Sequence, residues 1–501
     1  MLFRKFASHI EAFLRNEPHK ILLINGARQI GKSYLIRHIC EGMFRNYIEL
    51  NLKEDKEGIG LLADVRNTDD FYIQLGAIAG ERLGDASDTI VFLDEIQSYP
   101  HLMTMLKFLN EEGRYRYIAS GSELGIALAQ TPSIPIGSIA IEQMFPLDFE
   151  EFLLASGCGK ETIDSIRDCF LKKETLNDSL HAYMLRQFKI YLLTGGMPDA
   201  VNKFLETRNI ALVRKIQNDI HELYKLDASQ YDSEKKLVIR NIYDLIPSNM
   251  ENKRKRVVVK KIENTAGHKQ FSDYADEFEY LTNSGVALAV KAISNPKFPL
   301  KESESKNLLK LYLSDVGLLT GLLYKNNINA VLGDERSINL GSVYESVVAQ
   351  ELHAHGCELH YYDNKQRGEV DFLIDDYDSL SVLPIEVKSG KDYKVHSALD
   401  NFMKTPDYNV KNAVVLHSGQ KVYQENGINP MSGCLWSFIP MPILIALYYI
   451  IRQPITHFMM LSKEVCQSLV EKAIAAGIDM SAILTYDKEG AAVLKDGLNQ
   501  F

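Results

Sequence analysis

Gly26-Ala27-Arg28-Gln29-Ile30-Gly31-Lys32-Ser33 is a complete G-x-x-x-x-G-K-[ST] loop, and its flanks decide the fold. Before it runs Ile21-Leu22-Leu23-Ile24, a short apolar stretch suited to a buried parallel strand. After it, Tyr34 to Cys40 carries apolar positions at helical spacing. In the order strand, glycine loop, helix, the loop's backbone N–H groups can wrap a phosphate chain, and the helix N-terminus adds its positive dipole end. Lys32 is expected to reach the β- and γ-phosphates and Ser33 to hold Mg²⁺. The expected nucleotide contacts are Gly26, Ala27, Arg28, Gln29, Ile30, Gly31, Lys32, Ser33 and the following Tyr34. The plain alternative is a glycine-rich turn without a ligand.

A second apolar strand, Thr89-Ile90-Val91-Phe92-Leu93, ends in Asp94-Glu95. Asp94 is expected at the metal, and Glu95 as the base that polarises an attacking water. Lys32 and Glu95 are thus the candidate catalytic pair. A third strand, Tyr115 to Ala119, ends in Ser120-Gly121-Ser122. Ser120 could meet the γ-phosphate or the water; an ordinary turn is the alternative. Strands alternating with helical stretches predict an α/β fold, a parallel sheet flanked by helices.

Further segments follow in order: Asp94-Glu95-Ile96-Gln97, Ser120-Gly121-Ser122, Phe145-Pro146-Leu147-Asp148-Phe149-Glu150-Glu151-Phe152, Thr194-Gly195-Gly196-Met197-Pro198 and Leu311 to Leu319. With them the chain resembles, over about residues 1–445, the bacterial and archaeal AAA-type ATPases that carry a C-terminal domain of unknown function. The resemblance implies a P-loop NTPase core and Mg²⁺-dependent binding and hydrolysis of ATP. It also makes Gly196 and Pro198 candidates for a lid turn that approaches the nucleotide; a helix–helix turn is the alternative. One departure stands out. Many relatives carry Gly-Arg where this chain has Gly137-Ser138, so a sensor or finger arginine is missing there unless Arg114 or Arg116 substitutes. No guanine-reading motif is evident, which leans toward adenine.

The composition agrees. The chain has 501 residues, enough for about three domains. Its net charge of −10 argues against a generally basic, nucleic-acid-coating surface while leaving room for a local basic face. Six cysteines without a C-x-x-C pair fit reduced thiols and a cytoplasmic location. Met1 to Phe6 lacks a signal-peptide core. The apolar run Leu435 to Ile451 is interrupted by Pro440 and Pro442 and is shorter than the ~20 residues that span hydrocarbon. It is therefore expected to form a strand near Trp436–Ile439 and a buried helix or strand near Ile443–Ile451, with no membrane partner.

The expected domains are a P-loop core (1–154), a helical lid (155–232), a winged-helix-like region (233–335), a nuclease-like α/β domain (336–450) and a helical tail (451–501). Helices near Lys236–Ile246 and Phe271–Leu281, then a strand from Val286, suggest the winged helix. Lys253-Arg254-Lys255-Arg256 with Lys260 and Lys261 could neutralise DNA phosphates, although Asp273, Asp276, Glu277 and Glu279 would repel them. A protein-docking scaffold is the alternative. In the tail, Ser462 is expected to cap a helix through Val465, Leu469 and Ala473 that packs on its own domain or on a second copy of the chain.

Glu369-Val370-Asp371 and Glu386-Val387-Lys388 each close or open a short apolar strand, and period-two alternation puts Glu386 and Lys388 on one face. This pattern resembles the restriction-endonuclease-like core. That resemblance implies Asp371 and Glu386 at a Mg²⁺ ion, Lys388 beside the nucleophile, and Glu345 of the preceding helix completing the site. Three functions stay open: an ATPase working on or with DNA, an ATP-gated nuclease, and a nucleotide switch that docks protein partners.

Overall fold

The computed structural model describes residues 2–418 except 123, 126–136, 173, 232–234, 253–254, 264–268, 326, 334–337, 365–366 and 390–396; beyond 418 it describes only 434–435, 484–486 and 492–494. The expected strand and helix between 436 and 451, and the expected tail helix from Ser462, lie outside the described residues.

Five strands form the first sheet: β1 (Ile21–Asn25), β2 (Asn46–Asn51), β3 (Thr89–Asp94), β4 (Arg116–Gly121) and β5 (Ile139–Gln143). Their order is β2-β3-β4-β1-β5, and every pairing is parallel. β1 and β3 are buried along their whole length. That burial explains their unbroken apolar runs, since helices cover both faces of a parallel sheet. The fold is α/β, as the motif order predicts.

Local chemistry sets the helix ends around this sheet. Helix Lys32–Met43 buries Leu35, Ile36, Ile39 and Cys40 on one stripe. Helix Pro100–Glu112 opens on proline and stops at Gly113, which adopts a left-handed φ of 59°. Asp148 caps helix Phe149–Ala155 in a reciprocal capping box with Glu151. The Glu54–Asp70 connection is more ordered than its polarity suggests. Asn51 accepts from the Glu54 N–H and starts a short helix, Leu52–Glu57.

Four helices follow: Lys160–Lys172, Asp178–Thr194, Pro198–Thr207 and Ile210–Tyr231. Helices Lys236–Met250 and Ala275–Asn283 come next, as expected. The strand after them differs from a free wing. β6 (Ala287–Ile293) pairs antiparallel with β7 (Glu304–Leu313), and its other edge pairs parallel with β8 (His360–Asn364). β9 (Gly368–Asp376), β10 (Ser381–Lys388), β11 (Ala413–His417) and β12 (Cys434–Leu435) complete a seven-stranded mixed sheet in the order β12-β11-β10-β9-β8-β6-β7. The boundary expected at residue 335 is therefore crossed by one sheet. An unpaired edge on β6 would leave a row of backbone groups unsatisfied, and β8 supplies their partners.

One face of the first sheet, the helical region and much of the second sheet share a continuous apolar core from Ile10 to Leu416. A separate core centred on Phe71, Leu93 and Leu106 covers the other face of the first sheet. Cys40, Cys158, Cys169 and Cys357 are free thiols. No helix among the described residues is long and apolar enough to cross a membrane.

Candidate functional site: a phosphate-loop cavity and a second acidic cluster

The loop between β1 and helix Lys32–Met43 bends through positive φ at Gly26 (154°), Gln29 (67°) and Gly31 (90°). A Cβ on Gly26 would stand 2.4 Å from the Met144 carbonyl, so only glycine fits there. Lys32 is buried, and its ammonium donates to the Gly26 and Ala27 carbonyls at 2.7 and 2.9 Å. Burial lowers its pKa to about 8, against the opposing pull of Glu95 and Asp94.

Asp94 ends β3 beside that loop. Its Oδ2 accepts the Ser33 hydroxyl at 2.8 Å, and its Oδ1 accepts the Ser120 hydroxyl. Burial raises its pKa, opposed by those two hydroxyls. Glu95 sits in left-handed backbone, φ 55°. Its Oε2 accepts Ser122 Oγ at 3.1 Å and the Gln97 amide. Arg28, Lys32, Ser33, Tyr34, Asp94 and Glu95 all line one cavity of about 680 Å³ at the carboxyl edge of the sheet. Open α/β sheets bind ligands at that edge. A second cavity, about 720 Å³, adjoins the loop from the other side and is lined by Leu2, Ile30, Gly31, Leu154, Pro198 and Leu205, among others.

Residues 18–153 match the family described as "AAA domain". The chain carries an AAA-type P-loop domain. Residues 185–329 and 340–444 match two domains of unknown function, DUF8612 and DUF4143. An uncharacterized protein of Methanocaldococcus jannaschii is 24% identical over 367 residues, covering 71% of this chain and 72% of that one. The membrane protein insertase YidC of Chlorobaculum parvum is 38% identical over 74 residues, which is 14% of this chain; the match spans only 13% of the insertase. Among solved structures, the Walker-type ATPase of Pyrococcus abyssi is similar at 15% identity and a TM-score of 0.39, covering 64% of this chain and 96% of that one.

Around the AAA domain's loop, several expectations need correction. Ser120 is fully buried, so it orients Asp94 rather than facing the cavity. Gly196 is also away from the cavity. A Cβ there would stand 2.0 Å from the Leu147 carbonyl, and its N–H donates to Asp315 Oδ2 at 2.6 Å. Pro198 does reach the loop: its Cγ lies 3.5 Å from where a Gly31 Cβ would sit. Arg116 opens β4 at the edge opposite the site and donates to the Leu14 carbonyl. Arg114 lies over the Tyr72 ring. Both therefore lie away from this chain's own cavity, which is at the other end of β4.

Some residues at work here carry no motif in the sequence. Arg28 pairs with Asp227 of helix Ile210–Tyr231 and donates to Ser122 at 3.2 Å, while the Tyr224 hydroxyl donates to the Arg28 carbonyl at 3.1 Å. Asp315 caps helix Val316–Tyr324 and accepts from both Gly196 and Leu318. Burial raises its carboxyl to about 6 despite those donors. The Thr194–Pro198 and Leu311–Leu319 motifs thus meet each other. A Cβ on Gly317 would stand 2.5 Å from the Thr194 carbonyl.

The second sheet brings Glu345, Asp371, Glu386 and Lys388 into one electrostatic cluster. Lys388 donates to Glu386 at 2.6 Å, and Asp371 accepts the Val387 N–H at 2.8 Å. Burial, then the Asp371 charge, raises Glu345 to about 7 and Glu386 to about 8. Two lysines enter that were not expected here. Lys255 pairs with Glu345, and the fully buried Lys310 pairs with Glu369. Arg256 pairs with Asp363. The basic run read as a DNA-facing charge is thus partly spent on neighbouring acids, while Lys260 and Lys261 remain exposed. A lone lysine inside the apolar run Leu308 to Leu313 was the available signal, because a buried ammonium needs a counter-charge.

Proposed function

We propose that this chain binds and hydrolyses ATP with Mg²⁺ in the cavity of its AAA domain. The observation that supports the reading is the meeting of Lys32, Ser33, Asp94 and Glu95 on one cavity wall. Lys32 already points along the loop and would exchange two carbonyls for phosphate oxygens. Ser33 Oγ and Asp94 Oδ2, 2.8 Å apart, are the oxygen pair that fits Mg²⁺. When bound, that ion neutralises charge on the phosphate oxygens. Glu95, held by Ser122 and Gln97, would orient the attacking water. The cavity beside Gly31 and Pro198, with its apolar wall, is where the base would lie.

In this reading residues 1–154 form the motor core and 155–232 the lid. Residues from 233 onward, which include the seven-stranded sheet between Ala287 and Leu435, receive the nucleotide signal. DNA or a protein is the client, and a second copy of the chain is the further partner that could bring an arginine such as Arg114 or Arg116 to this cavity. The test is ATP turnover by the full chain with and without DNA. Lys32→Ala should lose nucleotide binding; turnover that survives in Lys32→Ala overturns the reading.

The convergence of Glu345, Asp371, Glu386 and Lys388 supports a second, nuclease reading of the C-terminal sheet. As placed, the donors do not fit a divalent ion, because Lys255 holds Glu345 and Lys310 lies against the same acids. No cleavage step is routed through them. Plasmid cleavage with Mg²⁺ that is lost in Asp371→Ala would favour this second reading. The insertase match, confined to 14% of the chain, contributes no activity to either.

A further inference from the structure

Where the AAA domain meets the helix Leu340–Ala354, three side chains converge away from both sites described above. A carboxylate oxygen of Asp148, one of Glu351 and a ring nitrogen of His355 all lie within 4.8 Å of one another. Asp148 and Glu351 are 6% and 1% exposed. We propose that Asp148, Glu351 and His355 form a binding site for one divalent transition-metal ion, zinc first, that pins the AAA domain to the C-terminal part of the chain.

Each donor is prepared for this role. The His355 ring places Nδ1 2.7 Å from the Glu351 main-chain carbonyl, so Nδ1–H donates there and Nε2 keeps its lone pair. That Nε2 stands 3.4 Å from Asp148 Oδ2. Two ligands on a tetrahedral zinc with bonds of about 2.0–2.1 Å are separated by roughly this distance. Asp148 Oδ1 is committed to the Glu151 N–H, and Oδ2 accepts the Lys5 ammonium at 2.6 Å, which the ion would have to displace. Glu351 Oε1 accepts the Phe149 N–H at 2.9 Å. Its Oε2 is buried and accepts no hydrogen bond among the described residues. A buried carboxylate oxygen without a donor is costly, and a cation would satisfy it.

The charge balance points the same way. Asp148, Glu150, Glu151 and Glu351 gather against three permanent cations, Arg4, Lys5 and Arg167. Arg167 also serves Asp164, and burial with the Asp148 charge pushes the Glu351 carboxyl well above the usual carboxylate range, so the ion would take the place of its proton. Lys5 contacts Asp148 Oδ2 at 2.6 Å, but it also holds Glu150 Oε2 at 2.7 Å. It can yield the first oxygen and stay paired. An imidazole with two carboxylates and no thiol suits zinc or its cobalt substitute, with water filling the fourth position.

The test uses the tag-free full-length chain, stripped with chelator and titrated with Zn²⁺ alone by calorimetry. One equivalent per chain is expected, with at least ~100-fold weaker binding in His355→Ala and in the near-isosteric Glu351→Gln. Co²⁺ should give visible absorption bands of a tetrahedral nitrogen–oxygen site in the wild type, a readout that needs no variant. Lys32→Ala and Glu386→Gln should retain the equivalent, which separates this site from the other two. Absence of stoichiometric Zn²⁺ binding, octahedral Co²⁺ spectra, or undiminished binding in a folded Glu351→Gln protein would overturn the proposal.

Discussion

Replacing Lys255 with methionine keeps its volume and removes one charge from a buried pair. The Lys255 and Glu345 side chains are 16% and 5% exposed, so solvent screens them little. Glu345 already has a pKa raised from 4.5 to about 7, by burial first and by Asp371 second, with Lys255 pulling the other way. A carboxyl whose folded pKa exceeds its unfolded one binds its proton more tightly when native. Its stabilising share is therefore complete at low pH and is lost as pH rises from about 4.5 to about 7. Without Lys255 the folded pKa climbs past 7, and the loss continues at about 1.4 kcal/mol for each further pH unit. At pH 6 Glu345 is mostly protonated in both proteins, and they should melt within a degree or two of each other. At pH 9 the gap should reach about 3 kcal/mol, inside the ~3–5 kcal/mol typical of a broken buried pair. For a domain of ordinary size that is about 5–10 °C. Circular-dichroism melts from pH 6 to pH 9 measure it, and Lys255→Met combined with Glu345→Gln should close the gap. A gap that does not change with pH, or a double variant no better than the single, would refute the electrostatic reasoning.

Glu95→Gln should bind ATP normally and turn it over about 10²- to 10⁴-fold more slowly, measured as phosphate release; wild-type turnover would remove Glu95 from the chemistry. Asp315→Ala strips the partner from the Gly196 and Leu318 N–H groups and should cost about 3 kcal/mol, read as a lower melting temperature at constant pH. Burial raises Glu386 from 4.5 to about 8, so wild-type stability should fall as pH rises through that interval. Glu386→Gln should flatten this dependence and melt higher than wild type at pH 9; an unchanged slope would contradict the assignment.

Features that the chain encodes contiguously are legible in its sequence. The loop from Gly26 to Ser33 carries its own strand and helix, and Asp94-Glu95 is attached to the strand that delivers it. The alternating pattern of β9 and β10 likewise determines which face Glu386 and Lys388 share. Contacts made across long separations are not legible. Ser120 looks like a phosphate ligand until its neighbour Asp94 takes its hydroxyl, and Gly196 looks like a lid residue until Leu147 and Asp315 close on it. A strand after a helix pair reads as a wing because nothing local announces that β8, about seventy residues on, will cover its other edge. Lys255 reads as solvated charge for the same reason: its acid lies elsewhere in the chain.

The loop that carries the site is clasped from outside its own sheet. Pro198 touches it at Gly31, Tyr224 and Asp227 hold Arg28, and a Cβ added at Gly285 would come within 3.0 Å of the Ala27 nitrogen. These contacts come from three separate segments beyond residue 154. Phosphate drawn into the cradle would compete for Lys32 and press on Ala27, Arg28 and Gly31 together. Any resulting shift is then shared with helix Ile210–Tyr231 and with the turn that launches β6. A wide hinge is a poor description of that response, because the apolar core runs unbroken from Ile10 to Leu416 and a hinge would have to open it. Small sliding movements of packed helices change such contacts without exposing the core. On the proposed ATP-binding reading, a signal to the C-terminal sheet would accordingly travel through β6, whose one edge carries Lys310's strand and whose other edge carries β8 beside the acids.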